Sequence, residues 1–202
     1  MPVGPLYVVD CSSQLYGHRI QLAIALVKYK TRLQKPREGV CSAWIARLEP
    51  PKRLPIRIIP GTLLLPAQPS TPILTIGPGT GIAPLRAIVQ ERIASSPPIA
   101  DNTVVVGCRY TARDLLFRAE WSRLADKCET PPSDASATHD EAAAAIERLA
   151  IHQPLIRLYI AASREQKEKV YVQDVLRQHG AEVWNILGPR RGIAYLSGYV
   201  SN

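Results

Sequence analysis

A chain of 202 residues, 46% of them hydrophobic, holds enough apolar mass for one well-buried domain, or one domain and part of another. Its formal net charge of +8 suits nucleic acid, an acidic protein surface or a phosphate-rich cofactor. The Lys and Arg residues are scattered, however, and aromatics make up only 6%, which argues against a nucleic-acid partner that stacks its bases on the protein.

No apolar stretch approaches the roughly 18 residues needed to span a bilayer, so no membrane partner is expected. The opening MPVGPLYVVDCSSQ lacks the basic start and long apolar run of a signal peptide. Cys11, Cys41, Cys108 and Cys128 include no C-x-x-C pair and no zinc-finger spacing with His, so no metal site is expected. Reduced thiols in a cytoplasmic protein are the simplest reading.

In chain order, residues 19–30 are apolar and partly alternating, with Ile20, Leu22, Ile24 and Leu26 on one face, and predict a strand. Residues 31–38 are basic, contain Pro36 and predict a loop. Residues 39–48 predict a short helix and 56–59 another strand. Pro60, Pro66, Pro69 and Pro72 bracket a connector, and 60–71 is expected to be a domain boundary. Beyond it, 72–77 predicts a buried strand, 82–94 a helix, 103–108 a strand and 114–126 a helix. Residues 128–138 have the composition of a surface insertion and 139–150 that of a helix. A strand is predicted over 155–163, a helix over 168–179 and a last strand over 193–198. Buried apolar strands alternating with helices predict an α/β domain with a parallel sheet.

Four segments carry the chemistry. Gly77, Pro78, Gly79, Thr80 and Gly81 follow a strand and open a helix. There, glycines let a pyrophosphate approach the backbone, and the helix N-terminus attracts its charge. The spacing is not G-x-G-x-x-G, and a tight turn without a ligand is the bland alternative. Arg109 ends the second strand of this unit, where it would either pair with phosphate or remain solvated. Ser163, Arg164, Lys169, Tyr171 and Gln173 gather two cations, hydroxyls, a flat ring and an amide, a set that suits 2′-phosphorylated adenosine. An amphipathic helix with a charged outer face accounts for them equally well. Gly39, Val40, Cys41 and Ser42 form either a second pyrophosphate site or a plain helix start.

Taken together and in this order, the segments GVCS, GPGTGIAP, GCR and SREQKEKVYVQ resemble the ferredoxin–NADP reductase family, over about residues 12–198. The nearest resemblance is to its diflavin branch, which includes cytochrome P450 reductase. KYKTRLQKPREGVCSAW is most similar to the members of that branch that serve cytosolic iron–sulfur protein assembly.

The resemblance implies a flavin-binding β-barrel joined to an α/β domain that binds NADP(H). Hydride would pass from NADPH to FAD, and electrons onward to FMN and an iron–sulfur assembly partner. Gly77, Gly79, Thr80, Gly81 and Arg109 would then hold the NADP pyrophosphate. Ser163, Arg164, Lys169, Tyr171 and Gln173 would hold the 2′-phosphoadenosine, and Gly39, Val40, Cys41 and Ser42 would hold FAD. Ser197 would sit beside the nicotinamide, where some relatives carry a cysteine near the catalytic centre.

Three departures accompany the resemblance. Leu6, Val8 and Val9 stand where the family has an Arg-x-(Tyr/Phe)-Ser motif for FAD. Residues 1–66 match only a partial FAD-binding barrel, with no FMN domain before it. Residues 72–202 match an NADP(H)-binding domain without its last helix and strand. The expectation is therefore an NADPH-dependent flavoprotein module, with an NADP(H)-binding module that carries no flavin as the alternative.

Overall fold

The computed structural model describes residues 20–29, 37–95, 101–125 and 155–198. Expectations for the start of the chain, for the 128–138 insertion and for the 139–150 helix lie outside the described residues, as do Leu6, Val8, Val9 and most of the 31–38 loop.

The centre of the molecule is a four-stranded sheet whose pairings are all parallel. Its strands are β3 (Ile73–Pro78), β4 (Asn102–Cys108), β5 (Arg157–Ala162) and β6 (Ile193–Leu196), in the spatial order β5-β4-β3-β6. Short apolar runs rich in β-branched residues form such strands because both faces are covered. Ile73, Val104 and Val106 pack on one face with Ile82, Leu85, Val89 and Ile93 of α2 (Ile82–Ser95) and Trp121 and Leu124 of α4 (Arg118–Ala125). Leu74, Ile76 and Val105 pack on the other face with Val175 of α5 (Val172–Gln178) and Ile186 of α6 (Gly180–Leu187). The result is three layers, α/β/α, with the apolar side chains of each strand shared between two cores.

The chain moves outward from β3 to β4 to β5, then returns to place β6 on the far side of β3. The strand order therefore reverses between β3 and β6. In open sheets of this kind a crevice forms at that point, beyond the carboxyl ends of the strands.

Before the sheet, β1 (Lys28–Tyr29) and β2 (Arg37–Glu38) pair antiparallel and lead into α1 (Val40–Ala46). The expected 19–30 strand is thus reduced to β1 and a bridge residue at Leu22, and part of the expected 31–38 loop is strand. The 56–59 strand does not form. Ile56 and Ile58 are 71% and 78% exposed, and no strand among the described residues pairs with them. Strand propensity is a preference for a pleated, half-buried surface, and that surface is missing here.

Two helix expectations are also corrected. The 114–126 helix is broken into α3 (Thr111–Asp114) and α4, with Phe117 at φ +58° between them. The 168–179 helix begins only at Val172, and α6 follows it. Tyr171 stays extended and donates its N–H to Asp174 Oδ2 at 3.0 Å, a backward cap that fixes the start of α5.

Residues 60–71 contain no regular element, yet they are fastened to the α/β layer. Tyr195 donates its hydroxyl to the Leu64 carbonyl at 2.7 Å. Buried Arg92 donates to the carbonyls of Thr71 at 2.8 Å and Pro69 at 3.2 Å, and to Asn102 Oδ1 at 2.8 Å. A second buried cation, Arg86, reaches Glu120 from its Nε at 2.8 and 3.1 Å, Gln21 Oε1 at 2.7 Å, and lies 4.5 Å from the Phe117 ring centroid. That contact locks α2 to α4.

Candidate functional site

Because the four strands are parallel, their carboxyl ends line one edge. Gly79, Arg109, Ser163, Arg164 and Ser197 all follow strand ends there. The edge is drawn together by backbone bonds that continue the ladders past the strands. Ser197 donates its N–H to the Ile76 carbonyl at 3.1 Å. Ser163 and Arg164 donate theirs to the carbonyls of Cys108 at 2.9 Å and Arg109 at 3.0 Å.

The first loop is a single 3₁₀ turn, Gly79–Gly81, that feeds directly into α2. Pro84 falls in the first turn of α2, where a missing N–H costs nothing. No acidic residue lies in that turn, so the positive end of the helix is not neutralised from within it.

The three glycines of this loop have different reasons to be glycine. A Cβ at Gly77 would lie 2.7 Å from Ile82 Cα, and one at Gly81 only 2.1 Å from the Ser197 carbonyl oxygen. These two are demanded by packing within the chain. Gly79 is at φ +57° with nothing within 4 Å of a Cβ, so its face is open to a ligand. Gly79→Ala is accordingly expected to cost about 1–2 kcal/mol, the penalty of a left-handed L-residue, without displacing a neighbour. Urea denaturation would measure it.

Arg109 and Arg164 follow the ends of β4 and β5, the next two strands of the sheet. Arg109 is forked onto Asp114, with Nε to Oδ2 at 3.1 Å and Nη2 to Oδ1 at 3.0 Å, while its side chain remains 61% exposed. Ser163 Oγ donates to the Cys108 carbonyl at 3.2 Å. Arg164, Lys169, Tyr171 and Gln173 are exposed, the last two at the start of α5. That helix start abuts the end of β4, since a Cβ at Gly107 would meet Val172 Cγ1 at 3.0 Å. Burial, followed by the charges of Glu165 and Asp114, pushes the Cys108 thiol above its ordinary value and keeps it protonated.

Sequence reasoning missed Asp114, Thr111 and Glu165. The available signal was a carboxylate five residues after Arg109, placed to return to it.

The Gly39–Ser42 segment opens α1. Gly39 donates its N–H to the Val27 carbonyl at 2.7 Å, and Ser42 Oγ accepts the Val27 N–H at 3.1 Å. A Cβ at Gly39 would lie 2.7 Å from Ser42 Oγ and 2.8 Å from Val27 Cβ. No side chain caps α1, so its first-turn N–H groups suit a phosphate, and Val40 is exposed beside them. Among the described residues no group of three His, Cys, Asp or Glu could hold a metal, and no helix is long and apolar enough to cross a membrane.

Comparison with known proteins adds three findings. The family model described as the oxidoreductase NAD-binding domain matches residues 75–200. The chain is 38% identical over 193 residues to the Mus musculus protein named NADPH-dependent diflavin oxidoreductase 1, covering 93% of this chain and 28% of that protein. Proteins of the same name from Xenopus laevis and Schizosaccharomyces pombe are 32% and 35% identical, over 95% and 89% of this chain and 28% and 26% of their own lengths. The chain therefore spans just over a quarter of the length of these relatives.

Proposed function

The chain belongs to the oxidoreductase NAD-binding domain family, in its diflavin reductase branch, and we propose that it binds NADPH and presents the nicotinamide for hydride transfer to FAD. The observation that supports this best is the open Gly79 face before the α2 N-terminus, at the β3/β6 reversal, on the same sheet edge where Arg109 and Arg164 follow β4 and β5.

In this reading Gly77, Gly79, Thr80 and Gly81 shape the pyrophosphate cradle, and backbone N–H groups supply its donors. Arg109 adds a charge. Ser163, Arg164, Lys169, Tyr171 and Gln173 receive the 2′-phosphoadenosine, where two cations suit a dianion. Ser197, held against Gly81, borders the nicotinamide. Gly39, Val40, Cys41 and Ser42 would hold FAD through the uncapped start of α1. FAD, when bound, would accept the hydride and pass electrons onward to FMN and an iron–sulfur assembly protein in the cytoplasm. The division into a flavin-barrel part before residue 66 and a nucleotide domain from 72 belongs to the same proposal.

Calorimetric titration with NADP⁺ and NAD⁺ tests the nucleotide site. NADP⁺ is expected to bind more tightly, and Arg164→Ala to remove at least about tenfold of that preference, the worth of one charge-assisted contact. Equal binding of the two nucleotides by the unaltered chain would refute the assignment. A second reading, an NADP(H)-binding module without flavin, is favoured by the Ser42 hydroxyl already serving Val27. Anaerobic addition of NADPH to the FAD-supplemented chain separates the two. Bleaching faster than that of free FAD supports the reductase, and its absence supports the binding module.

A further inference from the structure

We infer that Glu165 is a positioning residue for 2′-phosphate recognition, acting by latching the 163–170 segment to Thr111. The inference rests on the nucleotide reading above and names a residue that reading does not use.

The segment needs such a latch. Between β5 and α5 it forms no regular element, and Arg164 to Lys169 are all exposed. Long cations on an unrestrained loop would have to be ordered by the ligand, at a cost in affinity. The first two residues are held by the backbone bonds from Ser163 to Cys108 and from Arg164 to Arg109. Gln166 Nε2 then donates to the Ala162 carbonyl at 2.7 Å and closes the turn.

Among the described residues, the Glu165 side chain links this turn to the neighbouring loop. Its Oε1 accepts the Thr111 N–H, and its Oε2 accepts the Thr111 hydroxyl at 2.8 Å. Thr111 opens α3, whose last residue is Asp114, the partner of Arg109. Arg109 and Arg164 are thereby tied into one network, one through Asp114 and the other through the residue after it.

Charge also favours the latch. A carboxylate next to Arg164 would weaken an anion's hold on that cation if it folded back. Two donors from one threonine keep both of its oxygens occupied elsewhere. The ligand chemistry concerned is the adenosine 2′-phosphate, since the tether acts on the β5 loop and leaves the Gly79 turn untouched.

The test is calorimetric titration of the full chain with adenosine 2′,5′-bisphosphate and with 5′-AMP. Glu165→Ala and Thr111→Val are each expected to weaken the bisphosphate about tenfold and leave 5′-AMP unchanged. Glu165→Gln retains an acceptor for Thr111 and is expected to recover part of the loss. Equal weakening of both ligands, or an unchanged ratio with only a lower Tm, overturns the latch. Tighter bisphosphate binding by Glu165→Ala overturns it too, because the carboxylate would then be only a repulsive charge. If the unaltered chain fails to prefer the bisphosphate, the nucleotide reading fails first and the latch falls with it.

Discussion

Gly81→Ala is expected to lower unfolding stability by about 2–3 kcal/mol, at the upper end of the range for overpacked sites. NADP⁺ binding is expected to fall with it. The new methyl would sit 2.1 Å from the Ser197 carbonyl oxygen and 2.8 Å from Gly198 Cα. Both neighbours are backbone, so no rotamer change relieves the clash. Either the loop lifts from the α2 N-terminus, or β6 slides from β3 and loses the Ser197 to Ile76 bond. Gly79→Ala, two residues away, is expected to cost less and leave β6 in place. Paired urea denaturation and nucleotide titration of the two variants would show the contrast. Equal losses would mean that the β6 contact is not what Gly81 is for.

Arg86→Met should be the other severe change, at about 3 kcal/mol, the lower end of the 3–5 kcal/mol range for breaking a buried pair. The side chain of Arg86 is 4% exposed and that of its partner Glu120 17%, so some water still reaches the carboxylate and tempers the loss. Methionine fills the space of the Arg86 stem but leaves Glu120 charged. Gln90 Nε2 still donates to Glu120, which offsets part of the loss. Adding Glu120→Gln removes the stranded charge and is expected to restore about 1 kcal/mol or more. A double-mutant cycle by denaturant unfolding measures this directly, and strict additivity would show that the pair contributes nothing beyond its separate members.

The α/β core was legible in the sequence for a physical reason. Runs such as ILTIG and TVVVG are apolar on both faces and end in glycine, a pattern with few folded solutions other than a buried parallel strand. The stretch Ile56–Ile59 carries a similar local signal and remains exposed, because a ladder requires a partner that local sequence does not encode. The late start of α5 was hidden likewise, since Gln166, Lys167, Glu168 and Lys169 are good helix formers and only the return of Asp174 to Tyr171 sets the boundary.

At the candidate site the residue types were readable, but their separate duties were not. Nothing near GPGTG announces that Gly81 must clear Ser197, which arrives from the other end of the domain. Nor does SREQ announce that its Glu reaches Thr111.

The anchors on the connector bear on mechanics. A proline-rich stretch of this composition, left to itself, would act as a semi-rigid spacer that swivels at its ends. Here Leu64, Pro69 and Thr71 are each hydrogen-bonded to a buried side chain of the α/β layer, Tyr195 or Arg92. A pull on the connector is thereby passed at Leu64 to β6 and at Pro69 and Thr71 to α2, rather than dissipated in a slack tether.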